Sequence, residues 1–279
     1  LLLLLCIVIA GFTLWVTNML LTDRFTQAIR NKSELRLALY TGNLQSELQR
    51  NSIVPKLLAR DPELIGALHS EDFSTSTQRL ISFVEEIGAA SLMLLDKNGR
   101  TVASTDRNNL GSFHREKPFF VEATKSDGTV FTISALETGG VDFFYSRRVE
   151  FQNRVIGVVS VEVDLHKFER AWAGISDRIM VFDDSGKIIL ATDPSWRGLT
   201  EDVALARQPR ETALKHAMQI TADWTGLSGN TYVQGEAVMR IAGRIPFRGW
   251  EIASFTSYSS VREKVNGILA LEIMVFTLL

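Results

Sequence analysis

Hydrophobic positions along the chain follow three patterns in succession. The first is a solid block. Residues 1–22 carry no charged side chain, and the run 1–21 has the length, roughly 20 residues, that takes a helix across the bilayer core. It predicts a transmembrane helix. A signal peptide has a shorter apolar stretch and a small-residue cleavage site, which is missing before Asp23. The second pattern is helical. From 23 to 50 there is no proline and one glycine, Gly42, while Phe25, Ile29, Leu35, Leu39, Leu44 and Leu48 recur at spacings that predict a long helix with an apolar stripe. Pro55 and Pro62 predict two shorter helical pieces, 55–59 and 62–68, with Asp61 as the N-cap of the latter. A polar loop, 69–77, and an amphipathic helix, 78–87, complete this region.

The third pattern is short apolar runs bounded by turns, which predicts strands. Within it the segment 93–105 aligns with 180–192 at a constant offset of 87, each reading strand, Asp-x-x-Gly turn, basic residue, strand. Each copy is followed by a helical segment (117–123; 200–208). Strands then follow at 129–134, 143–149 and 155–163 in the first copy, and at 230–234, 237–246 and 250–256 in the second. Turns at Gln152-Asn153 and Arg248-Gly249 join the last two strands of each copy. The fold class is therefore α+β: a long N-terminal helix and two tandem antiparallel sheets bridged by a helix at 165–173. The last stretch, 265–279, is apolar apart from Asn266 and Glu272 and reads as the start of a second span, its acid facing a partner. The expected organisation is a transmembrane helix at 1–22, a stalk at 23–77, a membrane-distal unit at 78–174, a membrane-proximal unit at 175–258 and a signalling helix at 259–279. The first residue is not Met, so the N-terminus reads as cut, and the loop 23–264 is expected outside the cytoplasm.

Composition narrows the function. The 279 residues carry a formal net charge of -2 with no basic block, which argues against a nucleic-acid face. A single cysteine, Cys6, excludes an intrachain disulfide and a cysteine-rich zinc module. No phosphate-binding glycine loop, nucleophile elbow or His-Glu-x-x-His metal motif is present, and the four histidines are scattered, so no catalytic residue and no metal ligand is assigned.

The chemically dense stretch is 113–151, where eight aromatic residues are mixed with Arg115, Lys117, Glu137, Asp142 and Arg147. Apolar walls with a few fixed charges suit a small-ligand pocket. Alternation along 143–149 puts Phe144, Ser146 and Arg148 on one face and Phe143, Tyr145 and Arg147 on the other. The face that meets the helix at 117–123 is expected to form the pocket. Arg115 is suited to clamp a carboxylate through two parallel hydrogen bonds and Lys117 to add a point charge. Phe119, Phe131, Ser134, Thr138, Asp142 and Glu162 complete the expected lining.

The segment His114-Arg115-Glu116-Lys117-Pro118-Phe119-Phe120-Val-Glu-Ala123 resembles the Arg-x-Arg-Pro-aromatic-aromatic-x-x-Ala signature of double Cache, or tandem PAS-like, sensor domains. Thr138-Gly139, Phe143-Phe144-Tyr145-Ser146, the segment 157–165 and the stalk at 54–62 are similar to the C4-dicarboxylate sensor histidine kinases of the DctB type. The resemblance implies a periplasmic receptor between two inner-membrane helices, binding a small organic acid in its distal unit. It also implies a parallel homodimer, a cytoplasmic kinase core using ATP and magnesium, and a response regulator as partner. No cofactor is expected in this stretch itself. Arg115 matches the family's first carboxylate-binding arginine, Lys117 the position of a second, Ser146 a polar pocket position and Phe119 an aromatic one. A chemoreceptor or a diguanylate cyclase can carry the same sensor, and a membrane-anchored enzyme is the weakest alternative.

Three differences from that pattern bear on the ligand. Glu162 stands where the dicarboxylate sensors have a lysine, Asp142 replaces a small residue, and Phe119, Phe143 and Phe144 lack hydroxyls. The expected ligand therefore carries one acidic and one cationic group, as an amino acid or a methylated amine does, with a C4-dicarboxylate as the second candidate. Arg115 and Lys117 would hold the acid, and Asp142, Glu162 and the Phe faces the cation. The second sheet shows no comparable cluster and reads as a relay.

Overall fold

The computed structural model describes residues 2–135, 141–172, 177–206, 231–233 and 236–278. Helix α1 (Leu2–Leu58) is continuous through Pro55, where the sequence predicts a break. The proline ring removes one N–H near the helix end. The turn still closes, with the Ala59 N–H donating to the Pro55 carbonyl at 2.9 Å, and burial of Val54 and Leu58 holds it. The predicted stripe is not a single face. Leu44 and Leu48 are buried with Leu37, whereas Leu35 and Leu39 are each 64% exposed, because at 100° per residue they lie on the opposite side of the helix. Phe25 and Ile29 pack with Val261, Val265 and Leu269 of the C-terminal helix.

Helix α2 (Pro62–Ser70) starts as predicted at Asp61, whose side chain accepts from the backbone N–H groups of Glu63 at 3.0 Å and Leu64 at 3.2 Å. The loop expected at 69–77 is shorter, because α2 runs to Ser70 and α3 (Ser76–Ile87) begins before it ends. The chain divides into two compact units, one made of Gly42–Gly174 and Asp193–Gly198, the other of Leu1–Thr41, Ile175–Thr192 and Leu199–Leu279.

The first of these units carries a sheet of β1 (Ser91–Asp96), β2 (Thr101–Ser104), β3 (Val130–Ala135), β4 (Val141–Phe151) and β5 (Arg154–Glu162) in the order β2-β1-β5-β4-β3. Helix α4 (Pro118–Lys125) lies on it, burying Phe119, Phe120 and Ala123 against Met93, Leu95, Phe144 and Val158. Helix α5 (Leu165–Trp172) follows. The β4–β5 hairpin turns through Gln152 and Asn153, both at positive φ.

The other unit contains β6 (Arg178–Phe182), β7 (Ile188–Ala191), α6 (Glu201–Ala206), β8 (Thr231–Val233), β9 (Glu236–Arg244), β10 (Glu251–Ser257) and α7 (Ser259–Leu278). Its strand order, β7-β6-β10-β9-β8, repeats that of the first sheet. The repeat extends to single hydrogen bonds. Asp96 Oδ1 accepts from the N–H groups of Asn98 and Arg100 at 2.8 and 3.0 Å, and Asp183 Oδ1 from those of Ser185 and Lys187, both at 2.9 Å. Thr105 Oγ1 accepts from the Leu92 N–H at 2.9 Å and Thr192 Oγ1 from the Ile179 N–H at 3.3 Å. Beyond the aligned segments, Asp106 and Asp193 each cap a short 3-10 turn, and Gly111 and Gly198 have φ of 81° and 79°.

In the apolar N-terminal region, Thr17 donates to Oε1 of Glu272 at 3.3 Å, which supplies the acid on α7 with a partner. Among the described residues, α1 is the one helix long and apolar enough to cross a membrane.

Candidate functional site

Antiparallel register aligns residues on the α4 face of the first sheet in rows. One row runs Ser91, Glu162, Phe144, Thr132 across β1, β5, β4 and β3. A second runs Met93, Ser160, Ser146, Val130. At the edge beyond the first row Asp142 pairs with Ser134. Paired residues share a face and alternate residues return to it, so Ser134, Asp142, Phe144, Ser146 and Glu162, all picked out by the sequence, belong to one surface. Phe119 joins them from α4, its ring stacked on Phe144 with centroids 4.6 Å apart.

The electrostatics of this surface are acidic. Ser91 donates to Oε2 of Glu162 at 3.0 Å. Burial holds the Glu162 carboxyl above the usual carboxylate range; the nearby Asp142 adds to this, and the Ser91 hydrogen bond opposes it. Asp142 is also raised, chiefly by burial, against the pull of Arg197 and His166. Arg197 itself is bound to Glu169. Ser146 and Ser160 are fully buried and share a hydrogen bond of 2.7 Å. Thr132, 4% exposed, buries its Oγ1 with no hydrogen-bond partner.

Other sequence-predicted residues fall elsewhere. Phe131 is expected in the lining, but the β3–β4 register pairs it with Tyr145 on the opposite face, where its ring meets Phe143 and Tyr145 at centroid distances of 5.4 and 4.9 Å. It is core. Arg115 and Lys117 are exposed. The Arg115 backbone packs on Gly99, whose φ is 80° and where an added Cβ would meet the Arg115 Cα and N at 2.8 Å. Gly99 follows the end of β1 opposite Ser91. Lys117 is the N-cap residue of α4, two positions before Phe119. Thr138 lies outside the described residues.

Thr132, Ser91 and Ser160 were not singled out by the sequence. Their signal was parity: each is a hydroxyl on the face shared with Phe144 or Glu162. The second sheet also differs from expectation, since it does carry a charged cluster. A groove of about 380 Å³ on it is lined in part by Asp183, Glu201, Arg240, Arg244 and Glu251. Arg240 is gripped there by Glu201 at 2.8 and 2.9 Å and by Glu251 at 2.8 Å.

The tandem-sheet fold matches known sensor domains. The chain is 23% identical over 267 residues to the C4-dicarboxylate transport sensor protein DctB of Pseudomonas aeruginosa, covering 92% of this chain and 42% of that protein. Among solved structures, the sensor domain of the V. cholerae histidine kinase DctB matches with a TM-score of 0.60 at 20% identity, over 83% of this chain and 98% of that one. This chain has the fold of that DctB sensor domain and is similar in sequence to DctB. The ligand-binding domain of the Pseudomonas fluorescens chemoreceptor CtaA, solved with L-leucine, matches this sensor fold with a TM-score of 0.58 at 15% identity, over 86% of this chain and 99% of that one. No family model matches. The sensor chain spans about two fifths of the length of the P. aeruginosa relative.

Proposed function

We propose that the chain is the sensing region of a membrane-anchored signalling protein and that its first sheet binds a small zwitterion, an amino acid or a methylated amine, by its cationic end. The observation that carries the ligand class is the closeness of two half-buried acids, Asp142 and Glu162, to each other and to the stacked rings of Phe119 and Phe144. A second carboxylate placed there would meet like charge in a poorly solvated site, whereas an ammonium relieves both acids and gains the ring faces. Lys117, close in sequence to Phe119, is the candidate for the ligand's acidic end. The L-leucine and L-serine complexes of CtaA, whose fold is similar, support the amino-acid class. The likeness to DctB of P. aeruginosa, named for C4-dicarboxylate transport, supports a dicarboxylate as the second reading.

The sensor faces the periplasm and passes its signal to a histidine kinase core and a response regulator. Residues 265–279 form the start of the second inner-membrane passage, and the receptor pairs as a parallel homodimer. Ligand closure over the first sheet shifts the population toward one arrangement of the membrane helices.

Calorimetric titration with L-amino acids, glycine betaine and succinate tests the ligand class. Binding of one of the zwitterions and not of succinate is expected, and succinate binding alone would sink the proposal.

A further inference from the structure

A cavity of about 470 Å³ lies between α1, the end of β10 and the first turn of α7. Its floor is apolar, with Phe25, Ala28 and Ile29, and its walls carry three cations, Lys32, Arg36 and Lys264. The described lining residues include one acid, Asp177, which is committed: its side chain is 2% exposed, receives Arg36 at 2.8 Å and accepts from the Thr256 hydroxyl at 3.0 Å. With that pair neutral, Lys32 and Lys264 leave the cavity with two positive charges. Neither lysine has a carboxylate partner among the described residues, and Lys264 instead lies 5.5 Å from the centre of the Phe25 ring.

The depth of the cavity bears on what fills it. Phe25 is three residues past Thr22, where the uncharged stretch ends, about 4.5 Å along the helix. The headgroup layer on each side of a bilayer is roughly 5 to 8 Å thick. The lower rim, with Phe25 and Lys264, therefore lies at headgroup level when α1 crosses the membrane. Side chains on a helix tilt toward its N-terminus. For Lys32 on α1 that direction is toward the membrane, and for Lys264, near the start of α7, it is away from the membrane. The two amines converge on the cavity from opposite levels. Ser259 and Ser260, also in the wall, add hydroxyl donors.

We propose that this cavity is a binding site for a phosphate oxyanion at the membrane surface, supplied by the headgroup of an anionic phospholipid. Two amines with hydroxyls meet the phosphate, and the apolar floor meets the glycerol and the first acyl carbons, which a free ion would leave unused. The site would link lipid composition to the packing of α7 on α1.

The test uses the whole 279-residue chain in detergent, with native mass spectrometry and thermal melting as readouts. The probes are dioctanoyl phosphatidylglycerol, dioctanoyl phosphatidylcholine and inorganic phosphate. Phosphatidylglycerol should be retained about tenfold above phosphatidylcholine, in line with the weight that two nearby cations carry for an anionic lipid. A Lys32→Gln/Lys264→Gln double variant should lose that preference, and Arg30→Gln, an exposed cation outside the cavity, should keep it. An unchanged preference in the double variant, or an equal loss in Arg30→Gln, would overturn the site. Stabilisation by inorganic phosphate that depends on Lys32 and Lys264, without a lipid preference, would keep the oxyanion chemistry and overturn the lipid as its source. Glutamine keeps a polar, uncharged head on a stem one atom shorter than that of lysine; a melting temperature equal to the parent's confirms that any lost adduct reflects the site.

Discussion

The Ser91 hydroxyl donates to Oε2 of Glu162 across neighbouring strands at 3.0 Å, and among the described residues it is the one hydrogen bond that carboxyl receives. A half-buried acid with one donor and an acidic neighbour is costly to ionise. Glu162→Gln is therefore expected to raise the melting temperature of the unliganded protein by about 2–4 °C at neutral pH, the shift that roughly 1 kcal/mol produces in a chain of this size. The same variant should abolish stabilisation by zwitterions. A melting temperature that falls, with ligand response intact, would make Glu162 a structural residue.

The pH dependence follows from the upward shifts at Asp142 and Glu162. The folded state keeps protons that the unfolded chain releases at ordinary carboxylate values, near pH 4. These groups contribute fully below that value, and their contribution is lost as pH rises through the folded-state values. The unliganded protein should therefore lose stability with rising pH from about pH 4 upward. The increment from a cationic ligand should grow over the same rise, because ionised acids hold an ammonium best. Melting curves across the range, with and without ligand, check both slopes.

Thr132 buries a hydroxyl that has no hydrogen-bond partner among the described residues. Thr132→Val keeps the shape and removes the unsatisfied group, so the unliganded protein should gain about 1 kcal/mol. If the hydroxyl waits for ligand, affinity should drop roughly tenfold, the effect of one lost hydrogen bond. Calorimetry on the variant reads both quantities.

Arg36 and Asp177 make a different kind of pair, with the arginine 31% exposed and the aspartate 2%. Arg36→Ala strands a buried charge and should cost about 3 kcal/mol, the low end for a broken buried pair, because the arginine is partly solvated. The double variant Arg36→Ala/Asp177→Ala should recover a large part of that loss. Denaturant titration of the four proteins gives the coupling directly.

Gly99 and Gly186 hold the same turn position, with φ of 80° and 78°, but an added Cβ meets the Arg115 backbone at 2.8 Å in the first and open space in the second. Gly186→Ala should cost about 1 kcal/mol for the left-handed backbone alone. Gly99→Ala should exceed that clearly and disturb the approach to α4.

The tandem sheets were legible because their signals are local: an Asp-x-x-Gly turn with alternating strands needs no knowledge of distant partners. That Asp142 and Glu162 share a face with Phe144 follows from strand alternation once the register is known. Phe131 was misplaced because the face it takes depends on the β3–β4 register, and a one-residue slip exchanges the two faces. The close approach of the Arg115 backbone to Gly99, 16 residues earlier in the chain, was not legible, because it depends on how the loop folds back on the turn. Thr132 went unnoticed because threonine is an ordinary strand residue; burial without a partner singles it out. The stripe on α1 mixed two sides of one helix, since leucines spaced for helical packing occur on both.

The shared corner of the two sheets also carries history. A chain that writes the same turn, cap and glycine pair twice, 87 residues apart, reads as the product of a doubled ancestor. The descendants have since diverged in a way that register makes visible: Ser91 pairs with Glu162 in one sheet, and at the equivalent place Arg178 pairs with Phe255 in the other. Where the first copy has an acid the second has a ring, and where the first has Phe144 the second has Arg240. Under the proposed ligand class, a search aimed at the second sheet by analogy with the first would look for the wrong charge at this place.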